Sequence, residues 1–249
     1  MNLNLRRLRH ALIACVAMLM LAATAPVAAL ASGANTNPGV LPPSSEAYGK
    51  TYGAWSAAWW QYVSAQPVSS NPLSDSTGAG CRNGQSGPVF FLVGGSGSAA
   101  VIRNQCTVPA GKALFLPLIN ADDFEPGFTA LEVWKQLEGF FGPITALHAS
   151  IDGRAAGNLN PATTPYHVCA GPVARCSAPP FSITVPNENL YGVPEGTYAP
   201  TVDDGAYLLL APLKRGAHTI TFGGTAKLFA GTSNETEFSQ NITYHLVVE

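Results

Sequence analysis

Residues 204–229 read DGAYLLLAPLKRGAHTITFGGTAKLF, and this stretch decides the fold class. It holds three short apolar runs, 206–210, 218–222 and 226–229, with Gly and Pro between them. Runs this short, bounded by turn formers, predict strands and not helices. The same texture starts at Pro88 and predicts further strands at 89–93, 100–103, 113–119, 144–151, 181–185 and 242–248. In the last run Ile242, Tyr244, Leu246 and Val248 alternate with Thr243, His245 and Val247, the period of a half-buried strand. Asp152-Gly153 and Asp204-Gly205 read as turn dipeptides beside such runs.

Two segments carry the helical period instead. A helix is expected over 46–65, capped by Ser44 or Ser45 and stopped by Pro67. Tyr48, Tyr52, Trp55, Trp59 and Tyr62 recur at steps of four and three, which lines them along one face. Such a stripe suits packing against a sheet; a sugar-stacking platform is the functional alternative. Gly49 and Gly53 weaken a helix by about 1 kcal/mol each, so their presence points to a close neighbouring backbone. A second helix is expected over 130–141, with Thr129 and Glu132 as a capping box and Leu131, Trp134, Leu137 and Phe141 as its apolar side. Many strands with only two helices predict a mainly β fold, an antiparallel, jelly-roll-like β-sandwich with one N-terminal aromatic helix and one short internal helix. One domain spanning 46–249 follows a flexible, Pro-rich lead-in at 32–45.

The N-terminus reads as an export signal. Arg6, Arg7 and Arg9 precede an apolar run at 11–23, and Ala29-Leu30-Ala31 offers small residues before a cut at Ser32. Cys15 lies too near the basic region for a lipoprotein attachment site. No later apolar segment reaches the roughly 20 residues of a membrane span, so no transmembrane segment is expected after cleavage. Cleavage of residues 1–31 removes three basic side chains, leaving ten Lys and Arg against fifteen Asp and Glu. That balance excludes a nucleic-acid partner and basic attachment to a membrane surface. The four remaining cysteines, Cys81, Cys106, Cys169 and Cys176, lack a Cys-x-x-Cys zinc knuckle and suit disulfides in an oxidising compartment. Four cysteines allow three pairings. The local one, Cys81 with Cys106 and Cys169 with Cys176, is preferred.

For chemistry, the strongest cluster is Asn120-Ala121-Asp122-Asp123-Phe124-Glu125 after the run at 113–119. Asp122, Asp123 and Glu125 are the catalytic candidates, since paired carboxylates serve glycan hydrolysis. With Asn120 they are also candidate oxygen ligands for calcium, the cofactor this cluster suggests, though the spacing is not that of a calcium-binding loop. The plainer reading is a solvated loop. Asp203 and Asp204 read more simply still, as turn residues. His218 and His245 lie on neighbouring C-terminal strands and could converge as a base or metal pair, although a solvated strand histidine is commoner. Gly94-Gly95-Ser96-Gly97-Ser98 resembles both a nucleophile elbow and a dinucleotide fingerprint, but a strand follows where either needs a helix.

Tyr48-Gly49-Lys50-Thr51-Tyr52-Gly53-Ala54-Trp55-Ser56-Ala57-Ala58-Trp59-Trp60-Gln61 resembles a motif of a family of secreted bacterial proteins without an assigned activity. Gly87-Pro88-Val89-Phe90-Phe91-Leu92, Val108-Pro109-Ala110-Gly111-Lys112-Ala113-Leu114-Phe115-Leu116-Pro117, and Pro212-Leu213 with Gly216-Ala217-His218-Thr219-Ile220 extend the resemblance over most of the mature chain. It implies export and brings no catalytic or binding residue with it. The sequence therefore suggests a periplasmic or secreted domain that binds a carbohydrate or another envelope component. A secreted glycan hydrolase and a metal-dependent binding protein are the alternatives.

Overall fold

The computed structural model describes residues 37–249; the expected leader, 1–31, lies outside the described residues. Two mixed five-stranded sheets pack as a β-sandwich. The first is ordered β1 (Val89–Phe91), β3 (Ala113–Phe124), β8 (Gly196–Leu210), β6 (His167–Ala170), with β7 (Phe181–Val185) pairing the start of β8. The second runs β2 (Val101–Val108), β10 (Thr236–Val248), β9 (Gly216–Leu228), β4 (Phe141–Ile151), β5 (Arg154–Ala155).

The expected antiparallel sandwich needs one correction. β1 pairs with β3, and β2 with β10, in parallel; all other pairs are antiparallel. Several strands also outrun their expected bounds. The runs at 218–222 and 226–229 are one strand, β9, because Gly223 and Gly224 continue the ladder to β10 and β4. β8 begins ten residues before the expected 206, taking in Asp203-Asp204-Gly205.

α1 (Tyr52–Ser64) lies on the outer face of the first sheet. It begins six residues later than expected. Glu46, Tyr48 and Gly49 hold φ of 43°, 60° and 78°, a left-handed conformation that a helix cannot include. The cap is therefore Thr51, whose hydroxyl accepts from the Ala54 N–H at 3.1 Å, rather than Ser44 or Ser45. The aromatic stripe is core: Tyr52, Trp55, Trp59 and Tyr62 are buried, and each polar tip has a partner. The Trp59 indole, for example, donates to the Leu92 carbonyl at 2.8 Å. Tyr48 falls outside the helix and is exposed.

With α1 outside and the second sheet inside, β3 and β8 are covered on both faces. Phe115 and Tyr207 stack beneath α1, while Leu114, Leu116, Leu208 and Leu210 complete the buried strands. This explains their unbroken apolar runs. α2 (Ala130–Phe140) has the expected capping box and packs Val133, Trp134 and Leu137 against Ile119, Ala121 and Val202.

Of the expected flexible lead-in, the described residues 37–45 are tied down. Val40 is buried and bridges to Leu210, and Leu41 N–H donates to the Leu209 carbonyl. The disulfides are Cys81–Cys106 and Cys169–Cys176, with Cα separations of 5.6 Å and 5.0 Å. Beside the first, Arg103 is buried without a carboxylate partner among the described residues: its guanidinium donates to the carbonyls of Asp75, Val93, Pro72 and Gly94 and lies over the Tyr244 ring. Among the described residues no helix is long and apolar enough to cross a membrane.

Candidate functional site

The acidic segment 120–125 is not a loop. Residues 120–124 finish β3, and strand alternation parts the four candidates. Asn120 and Asp122 face the α1 side, Asp123 faces the other way with a carboxylate oxygen accepting from Phe124 N–H at 2.8 Å, and Glu125 stands exposed in the following turn. The quartet therefore does not converge on one point. Among the described residues no three His, Cys, Asp or Glu side chains gather to hold a metal ion.

What the fold brings together instead is Asp122 and Asp203, directly opposite in the β3–β8 register. Sheet geometry puts the Cβ atoms of such a pair about 5 Å apart. Their carboxyls reach different partners. Asp122 Oδ2 accepts from the Tyr191 hydroxyl at 2.8 Å, which is itself 2.9 Å from the Ser64 hydroxyl of α1. The residue keeps some exposed surface, yet its carboxyl is desolvated, and burial raises its pKa to about 7 against the pull of Tyr191.

Asp203 is 0% exposed. Its Oδ1 accepts from Ala170 N–H of β6 at 2.8 Å and lies 3.1 Å from the Ser56 hydroxyl of α1. Its Oδ2 accepts from the Tyr207 hydroxyl at 2.8 Å, and the Tyr207 oxygen in turn accepts from the Trp60 indole at 3.2 Å. Burial raises the Asp203 pKa to about 8, outweighing the bonds donated by the Tyr207 hydroxyl and the Ala170 N–H. Burial and the neighbouring Asp203 push the Tyr207 phenol well above its ordinary value. Between Asp203 and Tyr207 on β8 sits Gly205, opposite Asn120. A Cβ there would lie 2.6 Å from both the Asn120 Cβ and the Ile119 carbonyl oxygen, so only glycine fits.

The turn reading of Asp203-Asp204-Gly205 concealed this site. A signal was nonetheless present in α1: Ser56, Trp60 and Ser64 recur at four-residue steps, a polar seam through an otherwise apolar helix.

The histidines do not converge. His245 sits opposite Thr219 and His218 opposite Leu246, so the two rings leave opposite faces of the second sheet. His218 is clamped, Nδ1 on Asp152 and Nε2 on the Lys214 carbonyl, both at 2.8 Å. Both partners are acceptors, which favours the doubly protonated ring, and the Asp152 and Lys214 bonds outweigh desolvation to raise its pKa. After Gly94–Ser98 the chain enters β2, as expected, and not a helix.

Accessible space lies away from the Asp203 site: a pocket of about 640 Å³ is lined by Asp152, His218, Thr219 and His245, and a second opening flanks α1. A groove of about 410 Å³ runs beside α1, walled by Trp55, Tyr62 and Phe91 and rimmed by Lys50, Gln61 and Gln66. The Lys50 ammonium stands 5.5 Å over the Trp55 ring at its mouth. Compared with known protein families, curated proteins and solved structures, the chain matches none.

Proposed function

We propose that this chain is an exported, disulfide-stabilised β-sandwich domain that works by binding an envelope glycan in the groove beside α1. The division between sealed and open polar groups carries the reading. The chemically poised carboxyl of Asp203 is shut beneath α1, where no substrate reaches it. The open groove has the size of a small-ligand site, with aromatic walls and a few amide and ammonium groups at its rim. Export is supported by the leader-like residues 6–31, by the resemblance to a secreted family, and by two disulfides of a kind rare in reducing compartments. Hydrolysis is less well supported, because Asp122 faces a sealed partner across the strands and not a second carboxylate across a cleft.

Calorimetric titration of the oxidised protein with soluble envelope oligosaccharides tests the proposal. Saturable binding without sugar release is expected, weakened roughly fivefold or more by Lys50→Ala with Gln66→Ala, as the loss of about 1 kcal/mol of polar contact requires. Binding indifferent to that pair of substitutions, or release of new reducing ends, would refute it.

A further inference from the structure

We propose that α1 is held to the first sheet by a proton-dependent lock between Ser56 and Asp203, so that protonation governs the groove along the flank of the same helix. The hydrogen inventory at Ser56 carries the argument. Its oxygen lies 2.8 Å from the Gly53 carbonyl, one turn earlier in α1, and 3.1 Å from Asp203 Oδ1. A hydroxyl has one hydrogen, and the carbonyl can only accept. With that hydrogen on Gly53, an ionised Asp203 would set two bare acceptor oxygens against each other in a site with no exposure to water. With it on Asp203, the Ser56 oxygen and the Gly53 carbonyl would face each other bare at 2.8 Å. A proton on Asp203 resolves the conflict: the carboxyl donates to Ser56, Ser56 donates to Gly53, and both bonds are satisfied.

The other groups facing Asp203 fit that state. From its own strand come the Tyr207 hydroxyl and the adjacent Asp204, whose carboxylate is engaged by His167 at 2.8 Å. β6 supplies the Ala170 N–H, α1 supplies Ser56 and, through Tyr207, Trp60, and β3 sets Asp122 opposite in register. Asn120, on the same face of β3, bears on Tyr207. No cationic side chain pairs with Asp203 among the described residues. A carboxylate formed here is buried without a counter-charge, and lifting α1 to admit water is the direct way to relieve it.

The groove then responds because α1 builds one of its walls: Trp55, Gln61 and Tyr62 line it, on the same helix as Ser56. This last step rests on the proposed binding role; the lock itself does not.

The test is hydrogen exchange of α1 amides in the oxidised, mature protein from pH 5 to 9, corrected for intrinsic rates. A released Asp203 ionises with an ordinary acid pKa, so every unit by which pH rises towards the folded value should raise the opening constant of α1 about tenfold, levelling near pH 8. Asp203→Asn should remove that tenfold slope. Equal slopes in the two proteins would overturn the lock. Should the variant not fold, infrared titration of Asp122→Asn, which removes the other buried carboxyl of raised pKa, decides: a protonated carboxyl band persisting above pH 6 supports the lock, and its absence refutes it. If glycan affinity is independent of pH while α1 exchange follows the expected slope, the groove reading fails and the lock stands.

Discussion

Asp203 shows how one side chain's state depends on its surroundings. Isolated, it would ionise near 4; beneath α1 burial lifts it to about 8. A carboxyl with a raised folded pKa binds more protons folded than unfolded. Its contribution to stability therefore falls as pH rises from about 4 to about 8, by about 1.4 kcal/mol per pH unit at most. Chemical denaturation across that range should show the decline, and Asp203→Asn should remove about 1.4 kcal/mol per pH unit of it, leaving the share of Asp122, whose pKa is also raised; a variant that keeps the full slope contradicts the assignment. Gly205 is constrained by backbone that cannot move aside. Gly205→Ala should cost at least about 2 kcal/mol in the same assay, through overpacking against Ile119 and Asn120. Arg103→Ala should cost about 3 kcal/mol or more, since it strips the donors from four carbonyls, three of them in buried bonds. A loss under 1 kcal/mol in either variant would mean that the site relaxes.

At the scale of elements, the strand runs and the capping box of α2 were legible because each is a local pattern of period or composition. The start of α1 was not, since nothing in residues 46–49 announces the left-handed turns at Glu46 and Tyr48. Tyr52, Trp55, Trp59 and Tyr62 of the aromatic stripe read correctly as buried while Tyr48 did not, and Gly53 has the close neighbour its presence suggested: a Cβ there would meet the Cys169 carbonyl oxygen at 2.6 Å. Gly49 has no such neighbour and serves its φ of 78° instead. The buried Asp203 site was hidden for a further reason. Asp-Gly looks alike in a hairpin turn and in mid-strand, and only the partner strand shows that glycine is required opposite Asn120. The clamp of His218 between the turn at Asp152 and the chain at Lys214 links β4–β5 to the start of β9. The His218 pKa is raised, so its contribution is complete below about 6.5 and fades as pH climbs through the folded value; the lowered Asp152 pKa sets the acid limit, below which the clamp also fails. Ring-proton NMR should place the His218 midpoint above 6.5 and move it down in Asp152→Asn. A midpoint at or below 6.5 in the unaltered protein would remove the clamp.

Over the whole molecule, the two disulfides tie loops to strands at separate places on the first and second sheets. Chain entropy assigns about 3.5 kcal/mol to the loop closed by Cys81–Cys106 and about 2.4 kcal/mol to that closed by Cys169–Cys176, from sequence separations of 25 and 7. Replacing each pair with alanine should lower stability in that order. Cysteine number made two disulfides legible and left three pairings open, of which the fold makes the local one, the pairing preferred from sequence, whereas the parallel β1–β3 and β2–β10 contacts join segments whose order no turn dictates. Export to an oxidising compartment is the claim on which the binding role depends, and intact-mass analysis of the protein as its own cell makes it tests that claim most directly. We expect a chain that starts at Ser32, recovered outside the cytoplasm, lighter by four hydrogens than its reduced form and without reactive thiols. An unprocessed chain inside the cell, with Cys81, Cys106, Cys169 and Cys176 all free, would contradict it.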